Sequence, residues 1–204
     1  MLAIVDYGVG NLFSLKHSFA AIGVDAVATS DAEVIRQADR IVLPGVGAFE
    51  DAARKLRESG LGDVVVQEAR KGKPLLGICL GMQMLFDKSY EYGEHEGLGL
   101  IPGAVRPIAA RIPGDFKIPH IGWNALLFCK PCPLFRYIQD GDHVYFVHSY
   151  HAEDCEADTI ARTEYGGILT AAVARGNVYG CQFHPEKSGS VGLSILRAFA
   201  EMEG

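Results

Sequence analysis

Hydrophobic positions along this chain fall into two textures. Short unbroken apolar runs are followed by stretches in which apolar residues recur every three to four positions. Leu2, Ala3, Ile4 and Val5 make the first such run, and it predicts a strand covered on both faces. Leu12, Leu15, Phe19 and Ile22 then mark one helical face, with Asn11 placed to cap it and Gly23 to end it. The pattern repeats. Residues 25–29 read as a strand, Ser30 or Asp31 as the cap of a short helix, and residues 40–43 as a third strand. Helices are predicted over 49–57 and 61–71, and Leu75, Leu76 and Ile78 begin a fourth strand. Leu80, Met84, Leu85 and Phe86 follow at helical spacing. Alternating strands and helices predict an α/β fold: a doubly wound, mostly parallel sheet with helices on both faces.

After residue 97 the texture changes. Residues 97–108, 117–128 and 143–147 read as shorter strands between Gly/Pro turns, an antiparallel or mixed portion added to the same sheet system. Residues 178–183 return to a buried strand, and Val191, Ile195, Leu196, Phe199 and Met202 give a last helix from about residue 190. No linker composition or repeat interrupts residues 1–204, so a single domain is expected.

Chemistry enters at Gly77-Ile78-Cys79-Leu80-Gly81. A cysteine between a buried strand and a helix, flanked by glycines that let the two pack closely, is the thiol version of the G-x-S-x-G elbow. The thiol then projects at the top of the sheet and lies at a helix N-terminus, where thiolate is favoured. A nucleophilic thiol needs a base and an orienting group. His184 follows the buried 178–183 strand and Glu186 lies two residues on. If Pro185 keeps the backbone extended, both side chains point the same way. An oxyanion hole is expected from the Leu80 amide together with one from the Gly-rich 44–47 loop, Val46 first and Gly47 second.

Other signals are weaker. Gly8-x-Gly10 lacks the third glycine of a dinucleotide fingerprint, because position 13 is Phe. Cys129-x-x-Cys132 has metal-ligand spacing but no second pair, so no metal or other cofactor is expected. Cys181 follows the strand alternation into the core. His143, His148 and His151 cluster about one strand, where His148 either supports the site wall or serves structure alone. Five cysteines in a 204-residue chain, with 49% hydrophobic residues to build a core, predict a reduced, cytoplasmic protein. The first apolar run is too short for a signal peptide, and no stretch approaches a membrane span. A net charge of −6 without a basic stripe points away from nucleic acid.

The motifs together resemble the class I (triad) glutamine amidotransferases. Within that family the chain is similar to the glutaminase subunits of imidazole glycerol phosphate synthase, from histidine biosynthesis. The resemblance runs along the whole chain: Asp6-Tyr7-Gly8-Val9-Gly10-Asn11, Leu43-Pro44-Gly45-Val46-Gly47-Ala48 and the elbow continued to Met82-Gln83. It goes on through Pro119-His120-Ile121-Gly122-Trp123-Asn124, Phe146-Val147-His148-Ser149-Tyr150 and Gln182-Phe183-His184-Pro185-Glu186-Lys187. It implies Cys79 as nucleophile, His184 as base and acid, and Glu186 as orienting carboxylate. It implies Gln83 and Glu91 on the amino and carboxylate end of L-glutamine, and the Ser149–Tyr150 backbone on the substrate carboxylate. Glu91 also reads as one of several exposed charges. The resemblance further implies a (β/α)8-barrel cyclase partner in a heterodimer, with the 6–11 loop and residues 120–124 at the interface. Trp123 reads either as an interface anchor or as filler of a core gap. The rival readings are another synthase's glutaminase, a cysteine or γ-glutamyl hydrolase on the same scaffold, a non-catalytic regulatory scaffold and a dinucleotide-binding module.

Overall fold

The computed structural model describes residues 1–202. The first half contains β1 (Leu2–Val5), α1 (Leu12–Ala21), β2 (Ala26–Thr29), α2 (Ala32–Gln37), β3 (Arg40–Leu43), α3 (Phe49–Glu58), α4 (Leu61–Arg70), β4 (Leu75–Ile78) and α5 (Leu80–Gln83). The second half contains β5 (Phe86–Ser89), β6 (His95–Glu96), β7 (Ile101–Pro107), β8 (His120–Ala125), β9 (Leu127–Phe128) and β10 (His143–His148). It continues with β11 (Tyr150–Glu153), β12 (Thr159–Glu164), β13 (Ile168–Arg175), β14 (Val178–Cys181) and α6 (Gly189–Ala200).

The main sheet runs β2-β1-β3-β4-β14-β13-β12-β9. Its first five strands pair in parallel, and β13, β12 and β9 extend it antiparallel. A second sheet, β11-β7-β5-β6, and a β10-β8 pair stand beside it. The caps work as the side chains suggest: Asn11 accepts from the Ser14 amide and Asp31 from the Glu33 amide.

Strand alternation sorts the core into two layers. Ala3, Val5, Ile41 and Leu43 face α2, α3 and α4, where Phe49, Leu56 and Val65 are buried. Leu2, Ile4, Val42 and Leu76 face α1 and α6, where Leu15, Phe19, Leu196 and Phe199 are buried. This is the doubly wound arrangement. Each large side chain so buried contributes ~1.5–3 kcal/mol before ordering costs.

Two local expectations are corrected. The helix after the elbow is a single turn; Phe86, placed on its apolar face by spacing, begins a strand. The Leu98 and Leu100 amides bond the Met84 and Leu85 carbonyls instead, which draws the chain into the second sheet. A four-residue helix carries little macrodipole, so the expected effect of a helix N-terminus on the thiol is small. Residues 185–187 form a 3-10 turn, not an extended segment. Pro185 suits the first position of that turn, and α6 presses on it: a Cβ on Gly192 would sit 1.9 Å from the Pro185 carbonyl. Several strands left no clear signal. β11, β12 and β13 carry Thr, Arg, Glu and His among their apolar residues, and are defined by pairing.

Candidate active site

The centre of the sheet positions the site. β4 and β14 are parallel neighbours, with Ile78 opposite Cys181, so both chains leave the sheet at the same edge. The Cys79 amide bonds the Cys181 carbonyl at 2.8 Å, tying the two exits together. Cys79 turns at φ 54 and ψ −111, a conformation costly for a side-chain-bearing residue. The flanking glycines make it possible. A Cβ on Gly77 would lie 2.7 Å from the Gly81 carbonyl oxygen, and one on Gly81 only 1.9 Å from the Leu43 carbonyl oxygen. The turn sets the thiol at the sheet edge, where it is buried at the margin of the core and lines a cleft.

His184 follows β14. Its Nδ1 is 2.9 Å from Glu186 Oε1 across the 3-10 turn. Ser188 donates to the His184 carbonyl at 2.7 Å and accepts from the Tyr145 amide at 2.9 Å, which locks the turn. Both side chains are buried, and Glu186 Oε2 has no protein partner among the described residues. The carboxylate's charge is thus directed at one imidazole. Burial alone would lower the His184 pKa, but the Cys79 sulfur and the Glu186 carboxylate hold it up to about 10. The carboxylate and the sulfur thus favour the protonated ring.

A cleft of about 330 Å³ opens over this pair. Its lining includes Val46, Gly47, Cys79, Leu80, Gln83, Glu91, Ser149, Tyr150 and His184. Nine of the ten residues singled out from the sequence thus meet at one surface, and Glu186 stands behind His184. Gln83 is buried; its amide donates to the Tyr150 carbonyl at 3.1 Å and to Gln182 Oε1 at 3.0 Å, leaving Oε1 to offer a ligand. Glu91 is no exposed charge. Its Oε2 accepts from the Phe49 amide at 2.7 Å at the start of α3, and burial raises its pKa. The Tyr7 hydroxyl donates to the Pro44 carbonyl at 2.7 Å and so pins the 44–47 loop from beneath.

Sequence reasoning gave no role to Gln182, which is fully buried, accepts from Gln83 and donates to Cys79 Sγ at 3.8 Å. Its place in the run before His184 was visible, but its inward direction follows only from the β14 register. Lys187 and Pro119 also line the cleft. A larger cavity, about 490 Å³, lies between α3, α4 and β6, and its lining offers no thiol, hydroxyl or imidazole. All five thiols are unpaired, and no group of three or more metal-binding side chains occurs among the described residues.

Residues 3–202 match the family model of the class-I glutamine amidotransferases. The chain belongs to this family. Relatives of nearly equal length share about half of its residues. The imidazole glycerol phosphate synthase subunit HisH of Oceanobacillus iheyensis is 46% identical over 203 residues, covering 99% of each chain. The same subunit of Caldanaerobacter subterraneus subsp. tengcongensis is 49% identical, covering 99% of this chain and 98% of that one. Among solved structures, a glutamine amidotransferase superposes with TM-score 0.76 at 21% identity, over 98% of this chain and 97% of that one. PurLQS from Thermotoga maritima superposes with TM-score 0.72 at 21% identity, over 97% and 96%. At such identity these structures speak for the fold alone. The family's fold is the one described above: a large, mostly parallel sheet between helices. No helix among the described residues is long and apolar enough to cross a membrane.

Proposed function

We propose that this amidotransferase is the glutaminase subunit of imidazole glycerol phosphate synthase, acting as a single domain in histidine biosynthesis. The full-length similarity to the HisH subunits carries the pathway. The convergence of Cys79, His184 and Glu186 at one cleft carries the chemistry.

In this reading Cys79 Sγ attacks the side-chain amide carbon of L-glutamine. The developing oxyanion is received by the Leu80 amide and by Val46 or Gly47 of the loop that Tyr7 pins. His184 gives its proton to the leaving nitrogen, ammonia departs and a thioester remains. His184 then takes a proton from the attacking water, and the second tetrahedral intermediate collapses to glutamate and free Cys79. Glu186 holds the imidazole throughout. Gln83, Glu91 and the Ser149–Tyr150 backbone orient the amino-acid end, with Lys187 as a further cation for its carboxylate.

Ammonia released into water would be protonated and lost, so a synthase subunit closes the cleft. We assign that role to a (β/α)8-barrel cyclase in a heterodimer. Exposed apolar side chains support this: Ile121 is 56% and Trp123 53% exposed on β8, and Val46, which lines the cleft, is 42% exposed. Five unpaired thiols are in keeping with the cytoplasm. Glutamate release, measured for wild type and Cys79→Ala with and without the cyclase and its nucleotide substrate, tests the whole reading. Cys79-dependent release that rises with the partner is expected; no release under any condition overturns it.

A further inference from the structure

Behind the cleft wall lies a hydrogen-bonded chain that the reaction above does not use. The Asn124 amide donates to the Glu164 carbonyl at 2.9 Å, which fixes its oxygen toward His120 Nε2 at 2.8 Å. His120 Nδ1 meets His148 Nε2 at 2.9 Å, and His148 Nδ1 meets the Tyr150 carbonyl at 2.8 Å. Both ends of the histidine pair thus face oxygens that can only accept. Two neutral imidazoles carry two ring protons, but the pair makes three contacts that each need one. Were both neutral, one of the three contacts would set lone pair against lone pair, either between the rings or against Asn124 Oδ1 or the Tyr150 carbonyl, in a buried site. A second observation agrees. The His120 ring is sandwiched between Phe146 and Tyr165, with centroids 5.0 and 4.0 Å away and rings tilted by 20° and 19°. Such a stack favours a cationic ring.

We propose that His120 and His148 share one additional proton, as a buried imidazole–imidazolium pair, and act as positioning residues for the substrate wall. Tyr150 is the link: its carbonyl accepts from both His148 and Gln83. The shared proton holds that carbonyl in place and sets a positive charge beside the wall on which a substrate carboxylate rests. The groups that oppose the charge are known. Burial lowers the pKa of both rings, and His120 itself, then His151 and His184, act on His148 in the same sense, so the pair holds one extra proton and not two. Glu186 balances His184, and Asn124 Oδ1 and the Tyr150 carbonyl take the outer protons.

Asn124→Leu separates charge from structure. Without the outer acceptor, His120 Nε2 can remain a lone pair, and two ring protons then satisfy both remaining contacts. Nitrogen-15 histidine spectra of the intact chain at pH 7 should show all four ring nitrogens of the pair bonded to or sharing a proton in wild type. In Asn124→Leu one of them should be a bare lone pair. Asn124→Asp, which keeps an acceptor, should retain the proton. A neutral wild-type pair, or a proton that persists in Asn124→Leu, overturns the proposal. The kinetic half rests on the glutaminase reading. KM for glutamine should rise about tenfold in Asn124→Leu, with kcat within about twofold. An unchanged KM with the spectral change present overturns the positioning role. Absence of any glutaminase activity defeats the functional reading and leaves the spectral test standing.

Discussion

Replacing Glu186 by Gln probes the core of the mechanism. The change is nearly isosteric, so the 3-10 turn and its Ser188 lock should survive. What is lost is the carboxylate charge that faces His184 Nδ1 at 2.9 Å. The rise of the His184 pKa from 6.5 to about 10 is worth ~5 kcal/mol in favour of the imidazolium. Cys79 and Glu186 together supply that net rise and also overcome burial, so losing Glu186 costs the imidazolium on the order of 2–3 kcal/mol or more, roughly 30- to 150-fold or more. A glutamine amide can also donate to Nδ1, which favours the wrong tautomer for a base at Nε2. Iodoacetamide labelling at pH 7 reads the reactivity of the sulfur at the cleft, with the Cys79 peptide followed by mass spectrometry because Cys129 is the more exposed thiol. The Cys79 rate should fall by about two orders of magnitude, and glutamate release by at least as much. If Cys79 in Glu186→Gln is labelled within about threefold of the wild-type rate, the carboxylate does not sustain the ion pair.

Other outcomes follow from single contacts. Gly81→Ala sets a Cβ 1.9 Å from the Leu43 oxygen, so thermal unfolding should show a loss of ~3 kcal/mol or more, and a fully stable variant would contradict the close packing of the elbow. Gln182→Leu leaves Gln83 without one partner and Cys79 without its amide neighbour; stability should drop by ~1–3 kcal/mol, with glutamate release impaired beyond the folded fraction lost. If the proposed cyclase docks on β8, Trp123→Ala should weaken its binding ~10- to 100-fold in titration calorimetry while leaving Tm within a few degrees, as for an exposed anchor. Glu153 is held below the usual carboxylate range, first by the bidentate Arg111 and then by His151. Its contribution is complete above the unfolded value near 4.5 and is lost as pH falls through the lower folded value. Glu153→Gln should therefore flatten the acid limb of the stability curve.

The elbow was legible because its signal is local. An apolar run, a cysteine and two glycines within five residues can form few other structures, and the packing distances at Gly77 and Gly81 give the reason. The first four strands and helices α1 to α4 were equally readable from period and caps. The length of α5 was not, because Met84, Leu85 and Phe86 fit a helical stripe as well as a buried strand entry. Non-local carbonyl and amide partners from residues 97–101 decided between them.

Residue types and their order therefore identified the family and picked out the cysteine and histidine that the fold brings together. Tertiary structure alone decided that β14 lies beside β4, so that residues more than a hundred positions apart share one sheet edge. It turned Glu186 toward His184 through a 3-10 turn, drew Glu91 onto the start of α3 and buried Gln182 against the thiol. It also joined His120 to His148 across the β8–β10 pair. The physical reason is common to the contacts between residues far apart in the chain. Propensity and periodicity act within a few residues, whereas the partner of a buried polar group is set by strand order and register, which no local pattern encodes.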